Sequence, residues 1–222
     1  MDRISRHYTV RDLTGATFET KVAIYEGQIR GWFHDPARII ERVSNSAGFV
    51  LLLICLSYVE QHALFYKGKT SSNQSRAFFR DAFQAIFRIS PDATRNIDQA
   101  LIDQALDHIY DQVRCGLFHV GLTRDKVRLS GDYDNPVRID MDPESKAVLH
   151  IGINPHLMLN VIEDHLSAYV CRLRNGNEQR LRENFEKAWD IRPQMEKPTK
   201  PSKASKKSRS LNNKTDNKAR GG

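Results

Sequence analysis

Ten residues in a row, AGFVLLLICL from Ala47 to Leu56, carry no charge and no side-chain amide, and they constrain this chain more than any other feature. A helix of that composition is apolar on every side, so other elements must surround it. The run falls well short of the roughly 20 residues that cross a bilayer, and it lies too far from the N-terminus for a secretory signal. It reads as the most buried helix of a core, with no membrane partner. Apolar positions continue on both sides, at Ile39, Ile40 and Val43 before it and on to Tyr66 after it. The pattern predicts a long central helix over residues 37 to 66, broken near Ser44 to Gly48 and stopped at Lys67-Gly68.

Such a helix needs partners, and the rest of the sequence offers them. Residues Phe18 to Arg30 suit a helix, and Pro36 is placed to open another after a break at GWFHD. After the polar loop KGKTSSNQS, the segment RAFFRDAFQAIFRI repeats Phe79, Phe83 and Phe87 every fourth residue, which stacks three rings on one helix face turned to the core. Ser90-Pro91 punctuates. The next helix carries an apolar stripe at Ile102, Leu106, Ile109, Val113, Leu117 and Val120.

Beyond Gly121 the period falls to two. KVRLS, VRIDM and AVLHIGI alternate between turn-forming stretches, predicting a small antiparallel β insert at about 126–153. Asn154-Pro155 is a helix opening, a capping side chain followed by a proline in the first turn. The helix it starts buries Ile162, Leu166, Tyr169 and Leu173, and can run on past Asn175-Gly176 through QRLRENFEKAWDI. The expected fold class is therefore mainly α, a helical domain over residues 1–191 with a small β insert before the last core helix.

Charge divides the chain at the same point. The net charge of +7 rests on a tail, since residues 192–222 carry ten Lys or Arg against Glu196 and Asp216. Residues 1–191 hold 24 basic and 25 acidic side chains and are near neutral. The Lys-rich tail lacks apolar periodicity, a composition that predicts disorder. Cys55, Cys115 and Cys171 are odd in number and widely spaced, which argues against a disulfide framework or a zinc motif and fits a reducing cytoplasm.

One polar interruption of the apolar pattern bears on chemistry. In DQVRCGLFHVG, Arg114 and His119 flank the stripe through Val113. On an ideal helix Arg114 lies about 100° to one side of Val113 and His119 about 120° to the other. Bringing the two together needs a loosened backbone at Gly116, a long reach by the arginine, or a second copy of the chain.

Arg114-Cys115-Gly116-Leu117-Phe118-His119 has the R-x4-H form on a helix in a mostly helical domain, and in this the chain resembles the HEPN superfamily over roughly residues 18 to 175. In that family R-x4-6-H is the active-site signature of metal-independent ribonucleases. The resemblance implies that Arg114 and His119 are catalytic, that no cofactor or metal is used, and that RNA is the substrate. It also implies a homodimer whose two motifs face one cleft, and a cytoplasmic role in toxin–antitoxin pairs or antiviral (phage) defence, with a cognate antitoxin or defence partner. The residue types suit the task. Histidine moves protons near neutral pH, and arginine offers a permanently charged planar fork to phosphate oxygens. Many active members carry Asn, Asp or His directly after the arginine; here Cys115 stands in that place.

Each of these residues also has a plainer account. Arg114 and His119 can cap carbonyls at a helix end. Glu60, in the helix before, either orients Arg114 or is a solvated helix residue. Asp111 pairs with Arg114 at i and i+3 as an ordinary helical ion pair. His108, His150, His156 and His165 have no zinc-ligand spacing, and the GKT at Gly68 to Thr70 lacks the G-x4 that begins a phosphate loop. The alternative function is a non-catalytic HEPN-like module that binds protein or nucleic acid and grips the latter through its basic tail.

Overall fold

The computed structural model describes residues 3–89, 98–116, 126–142, 144–145 and 147–191. His119, Leu117, Val120, the Ser90-Pro91 break and the basic tail all lie outside the described residues. Within them the chain is mainly helical with one small sheet.

The apolar run becomes the first half of α3 (Gly48–Lys67), a helix of 20 residues that packs against α4 (Ser75–Phe87), α6 (Pro155–Asn175) and α7 (Gln179–Ile191). By length and composition α3 could cross a membrane, and half of its most apolar stretch is enclosed by the fold. The break expected near Ser44 is present, between α2 (Asp35–Val43) and α3. Gly68 ends α3 in the left-handed region at φ 63°, and a Cβ there would stand 2.8 Å from the Asn184 Cα. Only glycine meets both demands.

Two helix junctions depart from the sequence reading. The GWFHD segment does not break the chain; α1 (Phe18–Ile29) passes through a π-helical turn at Arg30–His34 straight into α2. The Asp35 amide donates to the Arg30 carbonyl, five residues back, and Pro36, with no N–H to give, sits at the start of the next regular turn. Likewise α5 (Gln99–His108) runs into a second π-helical turn at Ile109–Cys115.

The sheet is mixed where the alternation suggested an antiparallel one. β3 (Val148–Ile153) lies between β1 (Val127–Leu129), to which it is parallel, and β2 (Val137–Met141), to which it is antiparallel. Burial explains the order. Val148, Ile151 and Ile153 are fully enclosed, so the most apolar strand takes the centre and the two more polar ones flank it. Gly152 gives Tyr133 room, since a Cβ there would meet its ring at 2.8 Å.

Asn154 joins sheet to helix. Its Oδ1 accepts from the amides of His156 and Leu157 at 3.0 and 3.2 Å, and its Nδ2 donates to the carbonyls of Gly131 and Tyr133 at 2.9 and 2.8 Å. One buried side chain thus caps α6 and ties down the β1–β2 turn. Asn154→Ala removes the helix cap and both ties to the turn and should cost about 2 kcal/mol, read as a lowered urea midpoint at unchanged m-value. α6 ends at Gly176, φ 72°, so QRLRENFEKAWDI forms a separate helix, α7, where the sequence allowed a continuation. α7 closes an aromatic cluster in which Phe185 packs on Phe65, Tyr25 and Phe18 with ring centres 5.2 to 5.6 Å apart.

Candidate active site

Arg114 stands on the π-helical turn. Ile109 and Val113 keep the stripe of α5 in the core, both with no exposed surface. The hydrogen bonding of such a turn is i to i+5, which takes fewer degrees per residue than an α-helix. The ideal-helix angles drawn from the sequence therefore do not hold along this segment.

From this turn the guanidinium reaches across to α3. Its Nε donates to Glu60 Oε1 at 2.6 Å, and its Nη2 lies 3.5 Å from Oε2. Tyr110, one turn earlier, sets its ring 5.6 Å from the guanidinium carbon. The Glu60 carboxylate holds the pKa of Arg114 above its already high ordinary value, partly opposed by burial, with the Cys115 side chain a smaller contributor in the same direction. Arg114 is thus a fixed, permanent cation. Glu60 and Arg114 are in direct contact, with the Glu60 side chain 35% exposed.

The pair forms one wall of a cavity of about 300 Å³ between α3 and α4. Thr70, Ser71 and Ser75 supply hydroxyls to it, and Phe78 and Phe79 its apolar side. Ser75 begins α4, whose N-cap residue Gln74 makes no side-chain capping bond. The first amides of a helix lack intrahelical partners and mark its positive end. A guanidinium, hydroxyls and that helix end together suit the oxygens of a phosphate, with Glu60 as the counter-charge that sets the orientation of Arg114.

Asp111 needs correction. It does not pair with Arg114 but takes a two-point bond from Arg76 of α4, at 2.6 and 2.7 Å. Asp103, Asp107 and Asp111 line one side of the motif helix at intervals of four, and Arg76 and Arg80 face that row from α4. Cross-helix pairing has displaced the local i, i+3 pair. Cys115 is half-buried beside Arg114. His119, the other motif residue, lies outside the described residues.

Tyr110 belongs to no motif, although its spacing of four from Arg114 is a helical contact distance. Thr70, the last residue of the GKT segment, lines the cavity, though not as part of a phosphate loop. His156 Nδ1 meets Glu41 at 2.8 Å, His150 Nδ1 meets Asp140 at 3.1 Å and His165 Nδ1 meets the Tyr58 hydroxyl at 2.7 Å. Among the described residues no group of three or more His, Cys, Asp or Glu is placed to hold a metal ion.

Comparison of the chain with protein-family models, with curated proteins and with solved structures found no match.

Proposed function

We propose that this protein is a metal-independent endoribonuclease of the HEPN type, with Arg114 on the scissile phosphate and His119 in proton transfer. The observation that carries the reading is the fixed Arg114–Glu60 pair on the wall of a hydroxyl-lined cavity beside the uncapped start of α4. In the reaction the ribose 2′-oxygen attacks phosphorus while the bond to the 5′-oxygen breaks, giving a cyclic phosphate and a free 5′-hydroxyl. Arginine stabilises the charge that builds on the non-bridging oxygens, and histidine takes the proton from the nucleophile or gives one to the leaving group. DNA lacks the nucleophile.

The reading includes a homodimer in the cytoplasm acting in a toxin–antitoxin pair or in phage defence. Support for pairing of two copies comes from α2 and the start of α3, where Ile39, Val43, Phe49 and Val50 leave large apolar side chains in solvent; Val43 is 77% exposed. The test is cleavage of RNA by the full chain in excess chelator, beside His119→Ala and beside DNA of the same sequence. Loss in the variant and on DNA is expected. Equal cleavage by wild type and variant overturns the reading.

A binding module is the second reading, favoured by the same ion pair, because a guanidinium already facing a carboxylate has less charge to offer a substrate. It requires salt-sensitive RNA binding that disappears when residues 193–222 are deleted and survives Arg114→Ala unchanged.

A further inference from the structure

On the opposite flank of α3 from Glu60 lies a second, larger cavity of about 530 Å³, bounded by α3, the end of α4 and α6. It shares no lining residue with the Arg114 cavity. Its interior is built of rings. His62 of α3 sits edge-on to His165 and Tyr169 of α6, with ring centres 4.3 and 4.8 Å apart. His62 is 2% exposed, and its Nδ1 has no hydrogen-bond partner; the Tyr169 hydroxyl, equally buried, has none either. Buried polar atoms are nearly always paired, so two unpaired ones around a single cavity call for an explanation.

The rim supplies charge. Arg172 lies there with its guanidinium also bonded to Glu178. Arg88 lies there too, in the left-handed region at φ 52° and with no ion-pair partner among the described residues. A helix end in that conformation ordinarily takes glycine, so an arginine keeps its side chain at the cost of backbone strain. Both arginines act on His165, whose pKa burial and these two charges lower to about 4. Burial lowers that of His62 as well. At neutral pH the interior is therefore uncharged and positive charge sits at the mouth, where Asp164 is the one carboxylate among the described lining residues.

We propose that this cavity binds a small organic anion. Its carboxylate or phosphate head rests on Arg88 and Arg172, and its flat body lies against Ile86 and Phe87 with its inner end toward the rings of His62 and Tyr169. A volume of this size suits a ligand of one or two rings. The site is independent of the ribonuclease reading, since it uses none of the residues assigned to cleavage.

The test is a titration of the full chain, labelled at its histidine ring carbons, with phenyl phosphate, benzoate, inorganic phosphate and benzyl alcohol. Saturable shifts of the His62 and His165 signals are expected with phenyl phosphate or benzoate, and which of the two binds tighter identifies the head group. Inorganic phosphate and benzyl alcohol should bind at least about tenfold more weakly. Arg88→Gly suits the backbone there and should fold at least as well, while weakening phenyl phosphate or benzoate by about tenfold or more. His62→Leu removes the unpaired nitrogen and should weaken the same probes. The proposal is overturned by an absence of saturable shifts with both probes, by benzyl alcohol binding as well as they do, or by unchanged affinity in a folded Arg88→Gly protein.

Discussion

Arg114→Ala should slow RNA cleavage in chelator by about 10²–10³-fold, the range typical for removing one donor aimed at a developing oxyanion. Arg114→Lys is expected to recover little of it, because a point charge cannot reproduce the two-point contact of a planar fork. Glu60→Gln keeps the shape of the side chain but not its charge, so the guanidinium loses its fixed orientation rather than its presence. A smaller fall, about tenfold, is expected, and mainly in kcat. Both partners are more than a quarter exposed, so the pair itself contributes at most about 1 kcal/mol to folding. Rate and stability therefore separate the roles. A large loss of stability in Glu60→Gln with unaltered kcat would reduce the pair to a structural tie.

The second large effect is on stability in mild acid. His34 is 2% exposed, and neither of its ring nitrogens has a hydrogen-bond partner. Burial lowers its pKa to about 4, opposed by the nearby Glu163 carboxylate and reinforced by the Arg30 charge. His165 is lowered to about 4 and His62 is also lowered. Below about pH 6.5 the unfolded chain takes up protons that the folded chain refuses, so stability falls as pH drops from there toward 4 and levels off below. The loss is about 1.4 kcal/mol per pH unit for each such imidazole, or about 3 kcal/mol for His34 across the window. Glu41 and Asp140, whose pKa values are lowered, withdraw their stabilisation only below about pH 4.5, so the two contributions separate along the curve. Urea midpoints from pH 7.5 to 4 measure it. His34→Leu should reduce the slope of the upper limb by its own share, leaving that of His62 and His165, without loss at pH 7.5, since it removes two unpaired nitrogens. A wild-type curve that is level between pH 6.5 and 5 contradicts the account.

What could be read from the sequence was whatever depends on neighbours along the chain. The apolar run marked α3, Gly68 its end and Asn154-Pro155 the start of α6, because propensity, capping and periodicity are local. The π-helical turn under Arg114 was hidden, since Ile109 and Val113 are spaced by four and satisfy an α-helical pattern whether or not the turn has widened. The place of β3 between β1 and β2 was hidden too, because alternation gives the faces of a strand but not its neighbours. Glu60 and Arg114 are 54 positions apart, and only the packing of α3 on its partners decides that they touch. Asp111 shows the converse, a local pairing overruled by Arg76 across the helix interface. His62 and His34 escaped notice because a histidine reveals its burial only once the inner face of its helix is known.

The aromatic closure by Phe185 sets a practical lower bound on fragment design. A piece trimmed to the R-x4-H region and its immediate helices, ending at Gly176, would leave Tyr25, Phe65 and Phe18 without their lid and would invite clumping during expression. Any shortened version intended for biochemistry has to retain the chain as far as Ile191.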